Sequence, residues 1–136
     1  MPDDVLLNKA EIIERCIKRM EEILDGTFER FRKDFLYQDA VLLNLERACQ
    51  AAIDLGMRWV RLEGLGVPKE SKDAFELLYA EGKISKELAD SLKKMVGFRN
   101  VAVHDYRALD FAIVEAIVGR DFPDFRELIR IALARE

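Results

Sequence analysis

Along most of this chain hydrophobic residues recur at steps of three and four, the spacing that gathers side chains onto one face of an α-helix. Between Asp3 and Leu24 the apolar positions are Leu6, Ala10, Ile13, Ile17, Met20 and Leu24, which form one buried stripe. Asp3 or Asp4 can cap the start of this helix, and Gly26 can close it in the left-handed conformation. Thr27 to Phe35 reads as a short helical turn, with Phe28, Phe31 and Phe35 on one side and Arg30, Arg32 and Lys33 on the other, a solvated face with a phosphate-contacting patch as the alternative. Asp39 to Glu63 is the longest periodic segment. Leu42, Leu45, Cys49, Ala52, Gly56 and Trp59 mark one stripe, and Val41, Ala48, Leu55 and Leu62 mark a neighbouring one. So wide an apolar arc predicts two packing partners, of which one is the chain's own core and the other could be a second copy of the protein.

Gly64, Gly66 and Pro68 break that helix. Ser71 and Ser85 then serve as N-caps, each followed within a turn by an acidic residue, Asp73 and Glu87. The first of these two helices is expected to bury Phe75, Leu78 and Tyr79 and to stop at Gly82. The second buries Leu88, Leu92, Met95, Val96 and Phe98. Leu109 to Val118 is apolar nearly all round, which predicts a central buried helix ended by Gly119. Asp121 with Pro123 starts a last helix carrying Phe125, Leu128, Ile129 and Ala132. No run alternates for more than about five residues as a half-buried strand would, Val101-Ala102-Val103 being the one ambiguous spot. The fold class is therefore all-α, a single domain over residues 1–136 built as an antiparallel bundle of about five to six helices.

Composition narrows the function. Half of the residues are hydrophobic and 35% are charged, which suits amphipathic helices and a chain able to bury a core. The N-terminus is acidic and no apolar run reaches the roughly 18 residues of a membrane span, so a cytoplasmic location with no membrane partner is expected. Cys16 and Cys49 lie on apolar helix faces, outside any ligand or redox spacing, and are read as reduced core residues. The net charge of −4 does not advertise a general nucleic-acid binder but leaves room for a local basic cleft.

The only histidine, His104, stands in the dense polar run Arg99-Asn100-Val101-Ala102-Val103-His104-Asp105-Tyr106. Imidazole is the side chain whose unperturbed pKa, about 6.5, suits proton transfer near neutrality. A lone histidine at a helix end also has a structural explanation, as a partner for free carbonyls and the helix dipole. On one helix Asn100 and His104 share a face, whereas Arg99 and His104 point roughly 140° apart. Either the helix ends between them, or the long arginine sweeps round, or two chains share the site. One histidine without a nearby cysteine cannot complete a zinc site, and no Gly-rich phosphate loop is present, so neither a metal nor a cofactor is expected.

The string Arg99-Asn100-x-x-x-His104-x-Tyr106 in a helical chain of this size resembles the HEPN superfamily, and more closely the HepT-like ribonuclease toxins of the HepT/MntA toxin–antitoxin type. The likeness extends as a helix pattern over nearly the whole chain, including Gln50 to Asp54. It implies a homodimeric, metal-independent endoribonuclease of a type VII system, acting on mRNA or tRNA with Arg99 and His104 as catalytic residues. Asn100 would support them. It also implies a partner, an MNT-type nucleotidyltransferase antitoxin that transfers AMP to the motif tyrosine, matched here by Tyr106. Asp54 could face the cleft as a supporting group, or be an exposed helical carboxylate. Arg58 and Arg61 around Trp59, and Lys94 ahead of the motif, are candidate RNA contacts, with solvated helix faces as the alternative. The rival function is a non-catalytic helical module that binds and serves a nucleotidyltransferase.

Overall fold

The computed structural model describes the backbone of residues 3–104 and 110–135, and the side chains of all these except 102–104, 120 and 121. Six α-helices run through the described residues, which contain no strand: α1 (Asp4–Leu24), α2 (Glu29–Lys33), α3 (Phe35–Glu63), α4 (Ser71–Ala80), α5 (Lys86–His104) and α6 (Phe111–Leu133). None of them is long and apolar enough to cross a membrane.

Asp3 caps α1 by accepting from the Leu6 N–H at 3.0 Å, and the stripe of Leu6, Ala10, Ile13, Cys16, Ile17 and Met20 is buried. The helix closes on Asp25, itself left-handed at φ 48°, one residue before Gly26. α2 delivers Phe31 into the core between Phe28 and Phe111, with edge-on ring centroids at 6.0 and 5.4 Å. Phe35 does not join them and is 80% exposed. The reason is Asp34, whose extended backbone breaks the helix and whose carboxylate accepts from the Leu36 N–H at 2.8 Å. That cap starts α3 at Phe35, four residues before the expected Asp39, and turns Phe35 to a different side.

At 29 residues, or about 43 Å, α3 is the central element and packs against every other helix. Its wide apolar arc is filled within one chain. Leu42, Leu45, Cys49, Ala52, Trp59, Val41, Ala48 and Leu55 are all buried, so the arc is not an open face awaiting a second copy. At Gly56 the missing side chain matters, because a Cβ there would stand 3.0 Å from the Phe75 ring of α4.

α4 is capped one residue earlier than expected, at Glu70 rather than Ser71. Asp73 reaches back to accept from the Lys69 and Glu70 N–H groups, both at 3.0 Å. Ala74, Phe75 and Leu78 are its buried face, and Tyr79 is exposed. Ser85 caps α5, accepting from the Leu88 N–H at 3.1 Å. Leu88, Leu92, Met95, Val96 and Phe98 are buried, as the spacing predicted.

The expected break at Gly119 is absent, and α6 is one helix of 23 residues with Pro123 inside it. Val114, Ile117, Val118, Phe122, Phe125, Leu128, Ile129 and Ala132 form one uninterrupted buried stripe, and that packing outweighs the proline. Nor is its first half the central helix, since Ile113 is 54% exposed and Ala112 is exposed too.

Ion pairs tie the helices at their ends. Arg32 of α2 holds Glu115 of α6 through two bonds of 2.6 and 3.0 Å. Arg126 of α6 reaches Glu14 and Glu21 of α1. At the far end Glu63 accepts from Trp59 and pairs with Lys83 and Arg135. Burial opposes its charge, but those donors and cations prevail and hold its carboxyl below the ordinary value.

Candidate active site

α5 is continuous from Lys86 to His104, so the helix does not end between Arg99 and His104. Met95, Val96 and Leu92 are buried, and at about 100° per residue Arg99 leaves α5 on their side. Its guanidinium turns back, and Nη1 donates to Asn100 Oδ1 at 3.2 Å. Position 100 lies about 40° from position 104 around the helix. The guanidinium thus bends toward the side of α5 that carries Asn100.

The guanidinium is not fully satisfied. Arg99 Nε is buried and, among the described residues, has no hydrogen-bond partner. A buried charged donor left unpaired costs a few kcal/mol, and a bound ligand is one of the ways such a group is completed; Asn44 Oδ1 and Arg135 Nε are also buried without a hydrogen-bond partner among the described residues. The planar fork of arginine suits a phosphate, which takes two parallel N–H donors. Asn100 is exposed, and among the described residues only its amide oxygen is engaged, by Arg99. The side chain of His104 and all of Tyr106 lie outside the described residues.

The supporting residues fall in different places. Asp54 is half-buried on the α1 side of α3, where Lys9 pairs with it at 3.2 Å and Gln50 donates to it at 2.9 Å. Among the described residues nothing joins it to Arg99. Arg58 grips Asp3 through bonds of 2.8 and 3.1 Å, so its guanidinium serves the fold rather than an open groove. The Arg58 hydrogen bond is the main reason that the Asp3 carboxyl is lowered to about 2. Arg61 is exposed beside Met57, Gly64, Gly66, Val67 and Pro68. It stands two residues before Glu63, which binds Lys83, and that end of α3 meets the start of α5 rather than its motif-bearing end. Lys94 is exposed one turn ahead of the motif, whereas Lys93 beside it pairs with Glu76 and Asp90.

One cation that no sequence signal marked also comes to this helix. Lys72 of α4 carries its Nζ across the bare backbone of Gly97, 3.9 Å from where a Cβ would stand. Positions 72 and 97 are brought together only because α4 and α5 pack side by side.

Comparison with known proteins gives the family. The family model described as "Ribonuclease HepT-like" matches residues 13–132. The mRNA nuclease HepT of Shewanella oneidensis is 43% identical over 97% of this chain and 98% of its own. A putative RNase of Archaeoglobus fulgidus is 31% identical over 74% of this chain and 77% of its own. Among solved structures, the tri-AMPylated Shewanella oneidensis HEPN toxin in complex with MNT antitoxin superposes with a TM-score of 0.91. It is 42% identical, over 97% of this chain and 98% of that one. With a family model over residues 13–132, a relative 43% identical over nearly the whole chain and the same helical frame in a solved structure, the chain belongs to the HepT-like ribonuclease family.

Proposed function

We propose that this chain is the toxin of a HEPN/MNT toxin–antitoxin pair, an endoribonuclease silenced when a nucleotidyltransferase antitoxin transfers AMP to Tyr106. The observation that carries the reading is Arg99, a guanidinium with a buried, unpartnered Nε on the helix that ends at His104. The relatives supply the rest. One is named an mRNA nuclease, and the structural neighbour is an AMPylated toxin held by its MNT antitoxin. mRNA is accordingly the substrate proposed here. A purely adaptor module leaves the unpaired Arg99 donor without a role.

Cleavage of RNA at its own 2′-hydroxyl requires a base, an acid and a fixed positive charge. The base removes the hydroxyl proton, and the 2′-oxygen attacks the adjacent phosphorus. The 5′-oxygen leaves carrying a proton, giving a cyclic phosphate and a free 5′-hydroxyl. His104 takes the base role, and Arg99 holds the two non-bridging oxygens as charge builds on them. A homodimer would bring a second motif to supply the acid, which resolves the scarcity of histidines in one chain. In regulation, the Tyr106 hydroxyl oxygen attacks the α-phosphorus of ATP and pyrophosphate leaves. The added phosphate lies a few residues from Arg99, so it competes with RNA for that cation and repels the strand.

The experiment is cleavage of single-stranded RNA by the purified chain in the presence of a chelator. Arg99→Ala and His104→Ala should each be inactive, and a refolded mixture of the two should regain part of the activity if the dimer shares its sites. No cleavage by the parent chain rejects the enzyme, and inactive variants that never complement reject the shared cleft.

A further inference from the structure

Gly97 lies on the same side of α5 as positions 100 and 104, whereas Arg99 leaves the helix on the other side and turns its guanidinium back to Asn100. At about 100° per residue, position 104 is roughly 20° away around the helix and Asn100 roughly 60° away, with position 104 about 10 Å further along the axis. Lys72 Nζ sits over this glycine, and a side chain longer than a methyl group at position 97 would occupy its seat. Among the described residues Lys72 has no hydrogen bond or ion pair, and it is exposed.

On this helix Lys93 is already neutralised, and elsewhere in the fold several other cations are too. Lys93 is held by Glu76 and Asp90, Lys9 by Asp54, Arg58 by Asp3 and Arg32 by Glu115. In the first turn of α4, Asp73 spends its carboxylate on the Lys69 and Glu70 N–H groups rather than on Lys72. With a net charge of −4 the protein has no general field to hold a polyanion, so local unpaired cations must do so. Around this side of α5 the exposed cations with no ion pair among the described residues are Lys72, Lys94 and, about 16 Å away at the start of the helix, Lys86.

We infer that Lys72, seated over Gly97, binds a phosphate of the RNA strand next to the one being cleaved, so that the strand runs from position 104 back along α5 toward the start of α4. This rests on the ribonuclease reading above and deepens it by giving the strand a direction and a second phosphate contact. Lys72 touches no reacting atom in this scheme. Its removal therefore raises KM and leaves kcat near the parent value.

The test is binding of a labelled single-stranded 2′-O-methyl RNA, which lacks the attacking hydroxyl, titrated between about 50 and 300 mM KCl. Each phosphate contact on a single strand contributes about 0.7 to the slope of log K against log salt. Lys72→Ala should lower that slope by about 0.7 and weaken binding about fivefold at moderate salt, as expected for one exposed charge contact. Lys72→Arg should restore both. Lys86→Ala removes the same charge at the other end of α5 and should change neither. A parent chain that cleaves RNA while Lys72→Ala keeps its KM and slope overturns the inference and spares the enzyme. Equal losses from Lys72→Ala and Lys86→Ala also overturn it, as a diffuse charge effect. A parent chain that neither binds nor cleaves RNA removes both readings.

Discussion

Replacing Arg99 by Met separates the price of the site from its use. Met matches the aliphatic stem of arginine, so packing under the guanidinium is largely kept. The substitution removes the buried Nε that has no partner, a defect that costs about 1–3 kcal/mol in the folded chain. It also removes the exposed 3.2 Å bond to Asn100, which contributes about 0.5–1 kcal/mol. The balance favours the variant by about 1 kcal/mol, or about 3 °C in Tm for a chain of this length. Activity moves the other way. Loss of a fixed donor to the developing phosphate charge lowers kcat by about 10²–10³. Thermal melts followed by far-ultraviolet circular dichroism without RNA, alongside initial rates of RNA cleavage, measure both effects. A variant destabilised by more than about 1 kcal/mol would falsify the reasoning, because the guanidinium would then be serving the fold rather than waiting for substrate.

Other outcomes follow from the same contacts. Pro123 occupies the interior of α6, where it lacks one hydrogen bond, so Pro123→Ala should stabilise the chain by about 2 kcal/mol after allowing for the looser unfolded state. A helix start at this position would instead make the change neutral or harmful, and denaturant midpoints distinguish the two. Asp3 is held at about 2 against an ordinary 3.8, so its contribution is complete above about pH 4 and is lost as pH falls through about 2. Asp3→Asn should therefore be weaker than the parent at pH 6 and converge with it near pH 2; a gap that persists there would show that the Arg58 contact is not electrostatic. Coexpression with the cognate nucleotidyltransferase should add AMP-sized mass to the parent and not to Tyr106→Phe, and an equal addition on both would exclude Tyr106 as the acceptor.

Local patterns carried much of the fold. The stripe of α1, the Ser85 cap of α5 and the buried faces of α3 and α5 all follow from three- and four-residue spacing, because burying one face of a helix requires that spacing whatever lies opposite. The errors fall where two local rules compete. Asp34 is a good cap inside a run of aromatic residues, and the cap prevails, so Phe35 turns outward. Gly119 and Pro123 are both helix breakers, yet the stripe that spans them keeps α6 whole. Ser71 loses the cap to Glu70 because Asp73 can reach back to that residue's N–H.

The site divides in the same way. By itself the sequence determined the motif, the register that puts positions 100 and 104 on one face and Arg99 off it, and the family that this spacing marks. Only the tertiary structure decided which charges remain available. It neutralised Arg58 with Asp3 and Asp54 with Lys9, partners more than forty residues distant in the chain. It left Arg99 Nε unpaired and laid Lys72 across Gly97. Periodicity is a property of neighbours along the chain and can be read from one strand of letters. The neutralisation of a charge depends on what the packing of other helices brings within a few ångströms, and no local spacing records that.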